Sequence, residues 1–200
     1  MSKAEGKKDD TYDIIINTAK RLFFAEGKFN ATTQEIADAA GVNRTLINYY
    51  FRSRNTLIDL VFKEALKEEE KQQEIIVMSS LPLREKFEQF LDFSFKIAKE
   101  YPYMEIYMVT HINQYNLHEF KSENQLKFLP TIYKEIQQEM DRGTIQQMEP
   151  LQFLLNFISL VSFPISMRPL IQQGLDISDE KFEQILDNRK EVILKTIFKD

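Results

Sequence analysis

Apolar side chains recur every three to four residues along most of the chain, which is the period of an α-helix. The first segment shows this most clearly, because its apolar positions fall on one stripe: Tyr12, Ile15, Ile16, Ala19, Leu22 and Phe23. The strict alternation of apolar and polar residues that is typical of a strand is scarce. The hydrophobic pattern therefore predicts an all-α protein.

Two short helices are predicted after the first one. Thr32 or Thr33 can cap the start of the second helix, because a hydroxyl oxygen accepts a hydrogen bond from a backbone N–H there. Glu35 lies three residues beyond Thr32, which is the spacing of a capping box. The second helix is expected to end near Gly41, and the third is expected to span about 44–50.

Longer helices are predicted along the rest of the chain. Their expected ranges are 54–77 after a Ser53 cap, 82–100, 102–111, 130–142, 150–171, and a last helix after a Ser178 cap. The range 150–171 is apolar on nearly all sides, so it needs cover on two faces. Polar residues and two prolines interrupt it, and burial inside a protein is therefore predicted in preference to a membrane span.

The two short helices predict a helix-turn-helix. Helices joined by a tight turn must cross closely, and the small side chain of Ala37 permits this. Gly41 tolerates the positive φ that such a turn needs. Ile36, Val42 and Ile47 then fill the wedge against the first helix.

The outward side of the third helix carries the candidate base-reading side chains. If Ile47 faces inward, helical geometry turns polar residues outward, and a recognition helix offers such residues to base edges in the major groove. These residues are Asn43, Arg44, Thr45, Asn48 and Tyr49.

Phosphate contacts are predicted at the amino ends of the neighbouring helices. A cation in the first turn of a helix is unfavourable because the helix dipole is positive there, and a bound phosphate reverses the sign. This reasoning applies to Arg54 at the start of the fourth helix and to Thr33 and Gln34 at the start of the second. The hydroxyl groups of Tyr49 and Tyr50 are further candidates.

Charge and composition narrow the classes of function. The chain has a formal net charge of −5, yet residues 42–55 hold three arginines and no acidic residue. The absence of cysteine excludes a disulfide scaffold and a thiolate zinc site. The two histidines form no metal motif, and no catalytic constellation is present in the sequence. We therefore predict neither an enzyme nor a cofactor.

The segment TTQEIADAAGVNRTLINYYFRSRNTLIDLV resembles the DNA-binding segment of TetR-family transcriptional regulators. The resemblance rests on the threonine-led second helix, the Ala-Gly-Val turn, the Tyr-Phe pair that closes the third helix and the basic residue that opens the fourth. It covers residues 10–66 well. The segment RGTIQQMEP and the apolar helix after it resemble the C-terminal half of the family more weakly.

The resemblance implies an Ω-shaped all-α homodimer. Residues 1–54 would form a three-helix helix-turn-helix DNA-binding domain, and residues 55–200 a helical ligand-binding and dimerisation domain. The last two helices, at about 151–171 and 179–198, would build the dimer interface. Two reading heads about 34 Å apart require a palindromic operator. The protein is expected to be a cytoplasmic, ligand-responsive transcriptional repressor. It would bind double-stranded DNA and have no membrane partner.

The resemblance also implies a ligand pocket among the middle helices. Candidate lining residues share an apolar or aromatic side chain or, in one case, an imidazole: Phe87, Phe90, Phe95, Met104, Tyr107, Met108, His111 and Phe128. Ordinary core packing explains each of these residues equally well. The composition favours an apolar or aromatic effector, whose identity the sequence leaves open.

Two other classes of function stay open at this point. One is an all-α enzyme or small-molecule carrier with a vestigial helix-turn-helix, which would need polar catalytic groups in the middle helices. The other is an interaction module whose short helices grip a protein. The sequence also leaves open whether a ligand releases or promotes DNA binding.

Overall fold

The computed structural model describes the backbone of residues 3–111 and 123–199, and the side chains of residues 10–110 and 128–199. Every element in these ranges is a helix. The elements are α1 (Lys3–Lys20) with a π-helical turn (Arg21–Ala25), α2 (Thr33–Ala40), α3 (Arg44–Phe51), α4 (Arg54–Met78), α5 (Leu83–Glu100), α6 (Met104–His111), α7 (Glu123–Arg142), α8 (Pro150–Ser166), α9 (Arg168–Leu175) and α10 (Asp179–Ile197).

The predicted helix caps are confirmed. Thr32, and not Thr33, caps α2, and the oxygen of its side chain accepts a hydrogen bond from the backbone N–H of Glu35. The Ser53 hydroxyl accepts from the N–H of Thr56 at 3.1 Å. The Ser178 hydroxyl accepts from the N–H of Lys181 at 3.2 Å, at the start of α10.

The prediction of one helix over 150–171 is wrong. The helix ends at Ser166, and α9 begins at Arg168 with Pro169 in its first turn. A proline inside a helix lacks the N–H donor and collides with the carbonyl four residues earlier. The two helices are bent by 67° at this break. Within the described ranges no single helix has both the length and the apolarity of a membrane span. Helices α8 and α9 meet both criteria only when they are counted together, across the bend.

The predicted start of a helix at Pro130 is also wrong. The helix begins at Glu123, so Pro130 lies inside α7. Pro130 is exposed to solvent. A single proline removes one backbone donor from the ladder, and α7 continues through this position.

The chain divides into two compact units. One comprises residues 1–69 together with 101–104, and the other comprises residues 70–100 and 105–200. Helix α4 runs without a break through the predicted boundary at 54/55, which stays a prediction. The two units are called the N-terminal unit and the C-terminal unit below.

The N-terminal unit is built on the apolar stripe of α1. Ile15, Ala19 and Phe23 are fully buried, and so are Ile36 of α2 and Ile47 of α3. Val42, the third residue of the predicted wedge, is half-buried. Helix α2 packs against both α1 and α3.

The core of the C-terminal unit joins α5, α7, α8 and α10. Phe87 lies at its centre, because its ring contacts the rings of Phe153, Phe157 and Phe198 at centroid distances of 5.7, 4.4 and 6.0 Å. Lys86, the neighbour of Phe87, is the one charged residue among the described side chains that is buried to this depth, at 3% exposure. Its Nζ donates to both carboxylate oxygens of Glu135 and to the backbone carbonyl of Val77.

Gly27 makes a close contact inside the N-terminal unit. Its φ is +67°, and a Cβ atom placed there would lie 3.0 Å from the ring of Tyr103. The backbone N–H of Tyr103 donates to the carbonyl of Phe24 at 3.0 Å, which holds the ring in place. Gly41 has a nearly identical φ of +66°, but no atom lies within 4 Å of the corresponding position.

We expect Gly27→Ala to destabilise the protein more than Gly41→Ala. Both substitutions force a left-handed residue, at a cost of about 1–2 kcal/mol. Only Gly27→Ala adds a collision with a packed ring, for which overpacking costs of about 1–3 kcal/mol are typical. Denaturant unfolding of both variants measures the difference, and equal losses of stability would contradict the role of Tyr103.

Candidate nucleic-acid interface and ligand cavity

A complete capping box fixes the start of α2. The Glu35 carboxylate accepts from the backbone N–H and from the hydroxyl of Thr32, both at 2.7 Å. The hydrogen bond from the Thr32 backbone is the main reason why the pKa of Glu35 lies below its usual range. Because the pKa is lowered, this contact stabilises the fold at pH values above the ordinary pKa of a glutamate. The stabilisation is lost as the pH falls through the pKa that Glu35 has in the folded protein.

The turn between α2 and α3 follows the predicted pattern. Gly41 takes the left-handed conformation, with φ +66° and ψ +31°, and the N–H of Val42 donates to the carbonyl of Ala37 at 3.0 Å. Ala37 is fully buried where the helices cross. The turn therefore sets the direction in which α3 leaves α2.

The predicted base-reading side chains all lie in solvent. The residues in this group are Asn43, Arg44, Thr45, Asn48 and Tyr49, and each is exposed. Tyr49 keeps 66% of its surface exposed, the highest fraction among the large apolar side chains of the N-terminal unit that the structure describes. Such exposure is compatible with a partner that covers α3.

Asn43 has a structural task that the sequence did not reveal. It caps α3, because its Oδ1 accepts from the backbone N–H of Thr45 at 2.9 Å and from the Thr45 hydroxyl at 2.8 Å. The amide nitrogen of the Asn43 side chain, which is a hydrogen-bond donor, takes no part in these two bonds. The cap fixes the first turn of the candidate recognition helix.

A hydrogen bond joins the two candidate DNA-contacting helices. The Nε of Arg44 donates to the hydroxyl of Thr33 at 3.1 Å, and both groups are accessible to solvent. Gln34 donates to Asp38 at 2.8 Å along the outer side of α2. The structure therefore brings Thr33, Gln34 and Arg44 onto one polar surface.

The tyrosines of α3 form part of an aromatic ladder. The ring of Tyr49 lies 5.2 Å from that of Tyr50, which lies 5.9 Å from that of Tyr12 on α1. Tyr50 is half-buried, so its ring packs while Tyr49 faces solvent. Tyr12 itself was not predicted as part of the site; it supports the position of Tyr50.

Arg54 is half-buried and holds the preceding loop. Its Nε donates to the carbonyl of Ala31 at 2.8 Å, and its Nη1 donates to Asn55 at 3.1 Å. Its guanidinium also lies 5.8 Å from the ring centroid of Phe23. Ala31 directly precedes the Thr32 cap, so Arg54 links the amino ends of α2 and α4. This positioning contact was not predicted.

The link between α3 and α4 is a strained turn at Arg52. The residue has φ +61° and ψ −42°, and the N–H of Ser53 donates to the carbonyl of Phe51 at 2.6 Å. This geometry approximates the classic γ-turn, which is rare for residues other than glycine. Strain of this kind often occurs near functional sites.

A separate cavity of about 400 Å³ lies in the C-terminal unit. Three of the predicted pocket residues, Phe87, Phe90 and Phe128, line it. Phe157 of α8 and Lys86 of α5 also line it and were not predicted. Phe157 shares its apolar segment with many core residues, and nothing in the sequence distinguishes Lys86 from exposed lysines.

The other predicted pocket residues lie elsewhere or have no described side chain. Phe95 and Tyr107 are buried and Met108 is half-buried, and none of them borders this cavity. Met104 belongs to the N-terminal unit. The side chain of His111 lies outside the described residues, so its predicted role stays a prediction.

Comparison with known proteins agrees with this geometry. Residues 15–61 match the family of bacterial regulatory proteins described as the tetR family. No curated protein shows a significant sequence match.

Solved structures of similar fold cover nearly the whole chain. A TetR-family transcription regulator from Marinobacter aquaeolei VT8 is 17% identical, with a TM-score of 0.64 over 98% of this chain and 100% of that one. A TetR-family regulator from Haemophilus influenzae Rd is 16% identical, with a TM-score of 0.60 over 96% and 99%. The regulator FadR from Bacillus subtilis, in complex with stearoyl-CoA, is 16% identical, with a TM-score of 0.62 over 93% and 99%.

The N-terminal unit thus contains a helix-turn-helix, and the segment that holds it is similar to bacterial regulatory proteins of the tetR family. The solved structures show that the chain shares the helical fold of such regulators.

We expect Arg52→Gly to be more stable than Arg52→Ala by about 0.5–1 kcal/mol, the left-handed penalty of alanine less the extra chain entropy of glycine. Both variants lack the guanidinium, so their difference isolates the backbone strain. Urea unfolding is the measurement. A glycine variant that is no more stable than the alanine variant would show that the turn carries no strain.

Proposed function

We propose that the protein is a ligand-responsive repressor that binds a palindromic operator as a homodimer. The observation that supports this most strongly is the set of exposed polar side chains on α3, held outward by a capped and buried helix-turn-helix. A helix presented in this way fits the major groove of DNA.

Base contacts are proposed for Arg44, Thr45 and Asn48, with Asn43 and Tyr49 at the edges of the same surface. An arginine suits the acceptor pair of guanine, and an asparagine suits adenine. When DNA binds, the Arg44 side chain would either leave the Thr33 hydroxyl and donate to a base, or keep this hydrogen bond between α2 and α3. In either case its charge lies on the DNA-facing surface.

Phosphate contacts are proposed for Thr33, Gln34, Tyr50 and Arg54. The first two lie in the first turn of α2, where backbone N–H groups lack helical partners and attract an anion. Arg54 reaches its phosphate while its Nε holds the carbonyl of Ala31. Contacts of this kind fix register and orientation but do not read sequence.

Dimerisation through α8 and α10 is supported by apolar side chains that this chain leaves in solvent. On α8, Leu151 and Leu155 are 46% and 48% exposed at a spacing of four residues. On α10, Ile185 and Val192 are 36% and 50% exposed, one heptad apart. A second copy would cover this face.

Arg189 interrupts the apolar stripe of α10, and its guanidinium group is held against α8. Its Nε and Nη2 both donate to the carbonyl of Leu160 on α8, at 3.3 and 3.2 Å. The arginine therefore joins the two helices of the proposed interface.

Response to a ligand is proposed because the C-terminal unit holds a largely apolar cavity of the size that small-molecule sites have. The Bacillus subtilis regulator of similar fold was solved with a small molecule, stearoyl-CoA. An effector shifts the operator equilibrium when it binds one dimer shape more tightly than the other.

We expect Arg44→Ala to weaken binding to the preferred operator by about 1–3 kcal/mol and to relax the preference at one base pair in each half-site. Arg21→Ala is the matched control, because Arg21 is an exposed arginine of the π-helical turn after α1 and lies outside the helix-turn-helix. The operator is first selected from a random DNA pool, and affinities are then measured at several salt concentrations.

The same selection separates the rival functions. A bound pool with two inverted half-sites supports the proposal, whereas a pool without any shared sequence would favour a carrier, an enzyme or a protein-binding module. Equal losses for the two arginine variants would contradict the assignment of Arg44.

We expect Leu155→Glu to convert a dimer into a monomer, because a charge in the centre of an apolar interface has no partner. Ile75→Glu is the control, since Ile75 is similarly exposed, at 55%, but lies on α4. Sedimentation velocity distinguishes the two species. A Leu155→Glu protein that remains dimeric would place the interface elsewhere.

A further inference from the structure

The connection between α5 and α6 belongs to the N-terminal unit. Residues 101–104, called the clamp segment below, cluster with residues 1–69. The backbone N–H of Tyr103 donates to the carbonyl of Phe24 at 3.0 Å. The last carbonyl groups of a helix have no partner within it, so this bond satisfies one of them. Met104 is buried, at 5% exposure. The clamp segment is therefore a packed part of the unit that holds the helix-turn-helix.

Two tyrosine rings of the clamp segment hold the π-helical turn on both sides. The Nζ of Lys20, which directly precedes the turn, lies 4.4 Å from the ring centroid of Tyr101. After the turn, the ring of Tyr103 lies against Gly27 and stands edge-to-face to Phe29, at a centroid distance of 6.3 Å. Cation–π and edge-to-face contacts are both favourable. Single π-helical turns often occur near functional sites.

The segment that Tyr103 holds leads directly into the amino end of α2. Four residues separate Gly27 from the Thr32 cap. Within this stretch the N–H of Ala31 donates to the carbonyl of Lys28 at 2.9 Å, and the carbonyl of Ala31 accepts from the Nε of Arg54 at 2.8 Å. A short, hydrogen-bonded segment of this kind transmits a displacement at Gly27 to the first turn of α2.

The amino end of α2 must be placed accurately if it is to bind a phosphate. Its backbone N–H groups, together with Thr33 and Gln34, are the proposed donors, and α2 has only eight residues. Hydrogen bonds of this type form over a narrow range of about 2.7–3.2 Å and weaken steeply when the donor is misaligned. A small shift of α2 therefore weakens several contacts together.

We propose that Tyr103 is a positioning residue for DNA binding: its ring, supported on Gly27 and Phe29, sets the amino end of α2 for the phosphate backbone without touching DNA. This inference rests on the proposal that the protein binds DNA, and it adds a residue that lies outside the segment 15–61 matched by the family. All the contacts described use the ring or the backbone of Tyr103, and none uses its hydroxyl group.

Two substitutions of Tyr103 test this role in the full-length protein. We expect Tyr103→Ala to lower the affinity for the operator selected from random DNA by about tenfold, in the range of residues that act without touching the ligand. Tyr103→Phe keeps the ring and should restore the affinity to within about twofold. Tyr133→Ala is the matched control, because Tyr133 is a half-buried tyrosine of α7 in the C-terminal unit.

The base preference separates positioning from a general loosening of the fold. A weakened phosphate contact lowers the affinity for all sequences about equally. Tyr103→Ala should therefore lose the same factor on the selected operator and on operators with one base pair changed in each half-site. Thermal unfolding verifies that each variant is folded at the temperature of the binding assay.

A cycle with Gly27→Ala tests the contact itself. The added Cβ lies 3.0 Å from the Tyr103 ring, so the ring must move, whereas Tyr103→Ala removes the ring and the collision together. Residues in contact give non-additive effects. We expect the double variant to bind the operator more tightly than the product of the two single losses predicts. If Tyr103→Ala does not fold, Tyr103→Leu, which also lacks the ring, takes its place.

Four results would overturn the inference while leaving the proposed function in place. They are an unchanged affinity of Tyr103→Ala, an equal loss for Tyr133→Ala, a loss of base preference together with affinity, and independent effects in the Gly27 cycle. A wild-type chain that selects no operator would overturn the proposed function, and this inference with it. The two failures are distinguished by whether the wild-type protein binds.

Discussion

The recognition surface depends on the packing of two helices that are too short to be stable alone. Helices α2 and α3 have eight residues each, and isolated helices below about 12–15 residues are marginal in water. Their buried side chains, Ile36 and Ile47, must therefore lie against the stripe of α1. This packing turns the polar side of α3 outward, and every proposed DNA contact depends on that orientation.

Local hydrogen bonds then fix the amino ends of the helices that this packing holds together. The Thr32–Glu35 capping box begins α2, and the Asn43 cap begins α3. The hydrogen bond from Arg54 to the carbonyl of Ala31 connects the amino end of α2 to α4. Two of the residues proposed to contact DNA, Asn43 and Arg54, thus also make hydrogen bonds within the protein. A residue with both tasks keeps its side chain ordered before DNA arrives, which lowers the entropic cost of binding.

Sequence reasoning predicted the local features well, because short-range rules govern them. The caps at Thr32, Ser53 and Ser178 and the glycine turn at Gly41 follow from residue type and spacing. It failed where a proline has two possible meanings: Pro130 lies inside a helix, whereas Pro169 follows a break. The buried Lys86–Glu135 pair and the link from Arg54 to Ala31 join residues 49 and 23 positions apart. No local pattern encodes such contacts.

The cavity shows how little a shared fold says about a ligand. At 16% identity the Bacillus subtilis regulator shares the fold of this chain, but the chemistry of the walls belongs to each protein. Here the Nζ of Lys86 is paired with the carboxylate of Glu135 at the edge of the cavity. Phe87 and Phe157 are at once core residues and wall residues, which is why composition alone did not separate the two roles.

The position of α3 on DNA can be tested directly because the chain has no cysteine. A single cysteine introduced by Asn48→Cys and labelled with an iron chelate cleaves DNA only near its own site. The account predicts two clusters of cuts in the major groove of the selected operator, about 34 Å apart. The same label placed by Arg21→Cys should give no such clusters. Identical cleavage from both positions, or none from position 48 on bound DNA, would contradict the account.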